Sequence, residues 1–358
     1  METPSARLIS LDALRGLDML IILGLDALVY ALYPLYSSSE FWQIARQQMG
    51  HAPWDGLRLY DCVFPLFVFI AGMSMCFSHL KRMDSTLTQL LRKIWLRAMV
   101  LVLLGFFING PISWELQNMR FASVLGLIGI SGALAGTATL LFEGRIIPSL
   151  SIAAIILAGV GVAQVYGGDF TPGGCFNAKV DAAFCPGVLH SGTYDPEGPF
   201  CILSATALCL GGYCTGRMFL NIERPVIRAL IMLLGGMVIF AGGYFLPIPI
   251  IKGIWTPSFV LCCAGIGTVL MAVLHLLIDI AGVQKWSLPM RVVGLNALAA
   301  YLLVHIVDLP ALSARLFGGT LGLFLSEDWQ RVAHSAAALL LAWGFCWFLY
   351  RKRVFIKL

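Results

Sequence analysis

His51-Ala-Pro-Trp-Asp-Gly56 leads through Asp61 into Val63-Phe-Pro-Leu-Phe-Val-Phe-Ile-Ala-Gly72, so a polar, titratable segment runs straight into an apolar one. Ten residues without a charge belong in hydrocarbon or a dry core. An imidazole beside Trp54, Asp55 and Asp61 at the mouth of such a run fits acid/base machinery held at a membrane surface.

The rest of the chain supports the membrane setting. Of 358 residues, 59% are hydrophobic and 12% charged, and the mean hydropathy is +0.86, more apolar surface than one soluble core hides. A hydrocarbon layer of roughly 30 Å takes about 20 apolar residues per helix, and such runs recur; the alternating pattern of a membrane barrel does not. The fold class is therefore all-α, a polytopic integral membrane helical bundle. Its spans are predicted at 9–30, 61–80, 94–109, 121–142, 146–166, 199–219, 226–245, 257–281, 292–309 and 329–350. The apolar but short stretch 311–325 is either an interfacial helix or an eleventh span. Residues 1–10 carry no small-residue cleavage site after a short apolar core, so the first span is expected to serve as its own insertion signal.

The net charge of +5 is scattered between spans rather than gathered on one face, which argues against nucleic acid. It fits topology instead. With ten spans, all 24 Lys and Arg fall on one side except Arg46, Arg58, Arg120, Lys179, Lys252, Arg315 and Arg331. Retention of positive charge in the cytoplasm then places both termini there and the His51 loop on the far side. Two far-side loops, 31–60 and 167–198, are long enough to be structured. The second holds Cys175 and Cys185, a candidate local disulfide if that face is oxidising.

Polar residues within spans are costly and tend to mark function. Asp12 and Arg15, three apart on the first helix, are expected to pair. Asp26 lies at the outer end of that helix and is a candidate for orienting His51, as is Asp61. His275 and His305 read as structural. Lys252, in Ile250-Ile-Lys-Gly-Ile-Trp-Thr-Pro257, and Asn296, in Gly294-Leu-Asn-Ala297, are candidates for binding substrate or a developing oxyanion, with Trp54 beside them. The glycine pairs 211–212, 235–236 and 242–243 read as close helix packing. No phosphate-cradling glycine loop is visible, which disfavours an ATP-driven pump.

Taken together, Arg7-Leu-Ile-Ser-Leu-Asp-Ala-Leu-Arg-Gly16, His51 to Leu57, Asp61 to Gly72, Asp195-Pro-Glu-Gly198, Lys252 to Thr256, Gly294 to Ala297 and Arg353-Val-Phe-Ile-Lys-Leu358 resemble the heparan-α-glucosaminide N-acetyltransferase family and its bacterial relatives, the transmembrane acyltransferases. The resemblance implies one transmembrane acyltransferase domain over 1–358 that moves acetyl from cytosolic acetyl-CoA to an amino sugar or sugar hydroxyl across the membrane. By resemblance His51 is the active-site histidine, and Asp26 stands where the animal enzyme has Asn. Acetyl-CoA would be the co-substrate, with no metal. Arg92, Lys93 and Arg97, together with Lys81 and Arg82, are candidates for its phosphates. The expected setting is a bacterial inner membrane, with a sugar or glycan acceptor, lipid, no nucleic acid, and a homodimer left open. The rival is a proton-coupled secondary transporter using Asp26, His275 and His305. It would need paired broken helices and inverted halves, which the sequence does not display.

Overall fold

A computed structural model of the protein describes residues 8–79, 85–109 and 118–356. Arg7, Lys81, Arg82, Lys357 and Leu358 lie outside them. Every regular element among the described residues is a helix, with no strand beyond two isolated bridges.

Helix α1 (Ile9–Leu20) passes through a wide turn (Ile21–Leu25) into α2 (Asp26–Leu32) and a tight turn (Tyr33–Tyr36). The wide turn is explained by Gly24, whose φ of 123° no L side chain adopts comfortably. Then follow α3 (Glu40–Gln48), α4 (Leu59–His79), α5 (Leu87–Ile108), α6 (Val124–Leu141), α7 (Ile146–Gly167), α8 (Phe176–Phe184), α9 (Pro199–Asn221), α10 (Pro225–Tyr244) and α11 (Pro257–Leu274). A second wide turn (His275–Ile280) extends α11. The chain ends with α12 (Leu288–Gly294), α13 (Ala297–Ile306), α14 (Leu309–Phe324) and α15 (Glu327–Arg351). Helix starts are written in the sequence. Thr86 and Gln89 form a reciprocal cap on α5, Ser123 accepts the Gly126 N–H at the head of α6, and Pro opens α9, α10 and α11.

Every predicted span falls on a helix. Among the described residues eight helices are long and apolar enough to cross a membrane, and a ninth span is formed if the segments Lys285–Gly294 and Ala297–Ile306 count as one. The predicted span 94–109 lies within α5, whose first turns carry Arg92, Lys93 and Arg97. The predicted span 292–309 is not straight. Its halves meet at 65° around Asn296, so one broken span is present where the sequence displayed none. Apolar side chains face outward on several helices, among them Ile147, Ile155 and Val238, each more than 70% exposed. Such surface suits lipid and not water. The chain is an all-α, polytopic membrane protein.

The chain divides into two compact units, one of Met1–His51, Arg58–Val63 and Val273–Leu358, the other of Ala52–Leu57 and Phe64–Ala272. In the first, α1 and α12 press backbone on backbone: a Cβ on Gly16 would lie 1.7 Å from the Met290 carbonyl oxygen, and one on Gly294 2.0 Å from that of Asp12. Asp12 and Arg15 pair at 3.1 Å, and Arg15 also reaches the Gly294 carbonyl. In the second, α4 and α9 do the same through Gly72 against Cys209 and Gly212 against Phe69. Of the three glycine pairs, Gly212, Gly236 and Gly243 face a neighbouring helix, whereas Gly211, Gly235 and Gly242 meet nothing within 4 Å.

The loop 167–198 contains α8, flanked by Cys175 and Cys185. Ten residue steps at about 1.5 Å each hold the two Cα atoms roughly 15 Å apart, beyond disulfide reach. Both are free thiols, so the expected bridge is corrected by the helix between them.

Candidate active site

In the first unit, the start of α4 builds the site. Asp61 sits in its first turn, and its Oδ2 reaches back to accept the Arg58 N–H at 3.1 Å, as an acid in the third helical position commonly does. Gln48 at the end of α3 supplies a second cap, its Oε1 accepting the Leu59 N–H at 2.9 Å. The carboxylate is thereby fixed in place and buried, with 1% of its surface exposed. Its other oxygen, Oδ1, lies 2.8 Å from Nδ1 of His51, whose side chain is 54% exposed. A buried carboxylate accepting at Nδ1 holds the proton there and makes Nε2 the basic nitrogen of the neutral ring.

Asp26 was expected beside the imidazole. It is one ring removed: Asp26 acts on the Tyr60 phenol, whose ring packs edge-on against His51 with centroids 4.8 Å apart. Asp26 also accepts its neighbour's N–H, from Ala27, at 2.7 Å. Arg58 completes the frame, donating from Nη1 to the His51 carbonyl at 2.7 Å. Tyr60 and Arg58 were not singled out from sequence. The available signal was their position on either side of a helix start that ends on Asp61.

Two further predicted residues share the second unit. The Trp54 indole donates to the Phe170 carbonyl at 2.6 Å and packs edge-on against Tyr194. Asp55 accepts the Ile250 N–H and pairs with Ile251, and the Gly56 N–H bonds to the Ile250 carbonyl. The structure thus brings the segment carrying Trp54 onto the loop carrying Lys252, with Gly253 against the indole. Trp255, three residues on, takes a left-handed conformation at φ 47° with its fully buried ring clamped between Phe64 and Phe259. A bulky residue in that region marks a backbone held against its preference.

The remaining predicted residues have other partners. Asn296, fully buried, donates to the Val354 carbonyl and accepts the Ile356 N–H at 3.1 and 3.0 Å, so its amide is committed to the C-terminal segment at the break between α12 and α13. His275 bonds to Asp279, which also takes the Ser10 hydroxyl, and His305 stacks on Tyr301. Arg92, Lys93 and Arg97 are exposed on the first turns of α5. Trp54 likewise has its N–H spent on a backbone carbonyl.

In the second unit, a buried charge cluster organises the loop before α9. Arg120 grips Asp195 at 2.8 and 2.7 Å and also meets Glu197, and Asp181 accepts the Asp195 N–H. Burial pushes Glu197 up to about 7 despite the opposing Arg120 charge, and burial pushes Asp181 up to about 6. For Asp195 burial also acts upward, but the Arg120 hydrogen bonds outweigh it and the net shift is downward. One guanidinium serves two carboxylates, so one keeps its proton more readily.

Fold and site together define a class: a polytopic helical membrane protein presenting an oriented imidazole on a buried carboxylate at the head of a span. Residues 7–176 match the family model described as heparan-alpha-glucosaminide N-acetyltransferase, catalytic. Among similar proteins are the human heparan-alpha-glucosaminide N-acetyltransferase, 31% identical over 144 residues (38% of this chain, 19% of the relative), and the mouse protein of that name, 33% identical over 134 residues (35% and 18%). The matched stretch spans about a fifth of the length of these curated relatives. Over residues 7–176 the chain is therefore similar to the heparan-alpha-glucosaminide N-acetyltransferase family, the one its motifs resemble.

Proposed function

We propose that the protein is a transmembrane acetyltransferase, the whole chain serving as its catalytic domain, that moves acetyl from cytosolic acetyl-CoA to an amino sugar, or to a sugar hydroxyl, on the other side of a bacterial inner membrane. The observation that carries this reading is the His51–Asp61 pair: a half-exposed imidazole held at 2.8 Å by a buried carboxylate. The names of the matched family and relatives support the acetyl donor and the amine acceptor.

The donor is large and charged while the acetyl group is small and neutral, so the thioester arm, not the nucleotide, would enter the membrane portion. The acceptor nitrogen attacks the thioester carbonyl, and a C–N bond forms as the C–S bond breaks. His51 Nε2 takes the amine proton and passes it to the departing thiolate of CoA. Asp61 steadies the imidazolium formed on the way. In a two-step variant His51 carries the acetyl group itself. Arg92, Lys93 and Arg97 would meet the CoA phosphates, and Trp54 and Lys252 would flank the acceptor. The bias of Lys and Arg supports cytoplasmic termini.

Incubation with isotopically labelled acetyl-CoA and glucosamine, followed by mass spectrometry, tests the reading. Label should appear on the sugar with wild-type protein and disappear with His51→Ala, whose membrane insertion and thermal stability stay intact. Wild-type turnover in that variant ends the proposal. The broken span at Asn296 favours the rival transporter, since transporters use interrupted helices. Labelled glucosamine accumulating in proteoliposomes without acetylation would decide for it.

A further inference from the structure

A second feature adjoins His51 in the same unit. Between the end of α2 and α3 lies a pocket of ≈ 420 Å³ lined by Tyr30, Tyr33, Gln43, Arg46, Gln47 and Arg58. Its size suits a small-molecule ligand. Gln43, Arg46 and Gln47 stand three and four residues apart, so α3 turns one face to it. The pocket shares a wall with the catalytic loop: Arg58 bonds to the His51 carbonyl, and Gly50, the residue before His51, is so close to Tyr30 that a Cβ there would lie 2.7 Å from the phenol oxygen.

The lining chemistry is one-sided. Two guanidiniums and two amides face the space, and none of the six residues is acidic. Arg46 lies over the Tyr33 ring at 4.6 Å and the Tyr30 ring at 5.9 Å, which holds the guanidinium in place while its N–H fork stays available to oxygen ligands. A planar fork of that kind recognises carboxylate or phosphate in pairs of hydrogen bonds.

We propose that this pocket anchors an anionic group, a carboxylate or a phosphate, carried by the acceptor sugar, and that Arg46 is a specificity-determining residue for it. The proposal rests on the acetyltransferase reading above. It narrows the acceptor to an amino sugar with a negative charge, bound so that its amine faces His51.

The test compares glucosamine 6-phosphate with glucosamine as acceptors for the full-length protein in phosphatidylcholine nanodiscs. The wild type should favour the phosphorylated sugar in kcat/KM, and Arg46→Gln should cut that preference by about tenfold or more, the usual cost of losing a hydrogen bond to a charged group. Arg46→Lys should retain part of it, and Arg331→Gln, a charge-matched exposed change, all of it. An equal loss for both sugars, or none, overturns the proposal. So does a rise in KM for acetyl-CoA as the sole effect, which would give the pocket to the CoA phosphates. So does an effect seen only with phosphatidylglycerol added, which would give it to a lipid headgroup. If no sugar is acetylated at all, the parent reading fails and the pocket is still judged by thermal stabilisation. Glucosamine 6-phosphate should then stabilise the wild type more than glucosamine does, with the difference erased in Arg46→Gln; equal stabilisation sinks it.

Discussion

Asp61 holds His51 from below: its Oδ1 meets the imidazole Nδ1 at 2.8 Å while its Oδ2 is tied to the Arg58 backbone. The carboxylate therefore links the helix start to the exposed ring. Asp61→Asn keeps the shape but offers an amide that can turn the ring to the wrong tautomer. Acetyl transfer should fall by about a hundredfold or more, with little change in thermal stability. A variant within threefold of wild type would remove Asp61 from the catalytic pair.

Tyr60 stands between His51 and Asp26, so Tyr60→Phe keeps the edge-on ring contact and removes the hydroxyl that Asp26 acts on. A loss of about three- to tenfold in kcat, with KM for acetyl-CoA unchanged, is expected for one polar group in a positioning role. If Asp26 instead acts on the ring directly, Tyr60→Phe will be silent and Asp26→Ala will not.

The Arg120 cluster makes stability depend on pH. Glu197 and Asp181 hold protons more tightly folded than unfolded, with values of about 7 and about 6 against ordinary ones of 4.5 and 3.8. The folded state is thus favoured at the acidic end, and stability declines as pH rises from about 4 to about 7. Asp195, shifted down, opposes this only in stronger acid, below its ordinary value. Melting measured at pH 5.5 and 8 should give the higher midpoint at pH 5.5, and Glu197→Gln should shrink the difference. A midpoint that rises toward pH 8 would contradict the assignment.

Adjacent glycines give a paired stability test. A Cβ on Gly212 would lie 2.1 Å from the Phe69 carbonyl oxygen, whereas one on Gly211 meets nothing within 4 Å. Gly212→Ala must force α4 and α9 apart and should cost about 1–3 kcal/mol or more. Gly211→Ala should be neutral or gain up to about 1 kcal/mol from helix propensity. Equal melting temperatures for the two would mean that the helices do not meet there.

Helices were legible because apolar runs of membrane length have few other interpretations, and Asp12–Arg15 because spacing within one helix fixes neighbours. The His51 loop stood out as a motif, with Asp61 and Asp26 as the two candidate partners of the imidazole, but the choice between them did not. Ten residues separate His51 from Asp61 across a loop, and no periodicity says which of two nearby carboxylates reaches the ring. Asp26 was placed one residue too close because a tyrosine of the same helix start intervenes. The break at Asn296 was hidden by apolar residues that continue on both sides. The pairing of Cys175 with Cys185 failed since the intervening residues form a helix, which sets their separation. The pocket at Arg46 went unread because it requires α3 to fold back beside Tyr30 and Tyr33.

Asn296 has a consequence for the far end of the chain. Its amide fastens Val354 and Ile356 to the seam between α12 and α13, so residues beyond α15 are stitched to the interior of the first unit. A bulky fusion joined just after Ile356 would pull on that stitch and loosen a bend dozens of residues upstream, whereas the same cargo on a long spacer would leave it at rest.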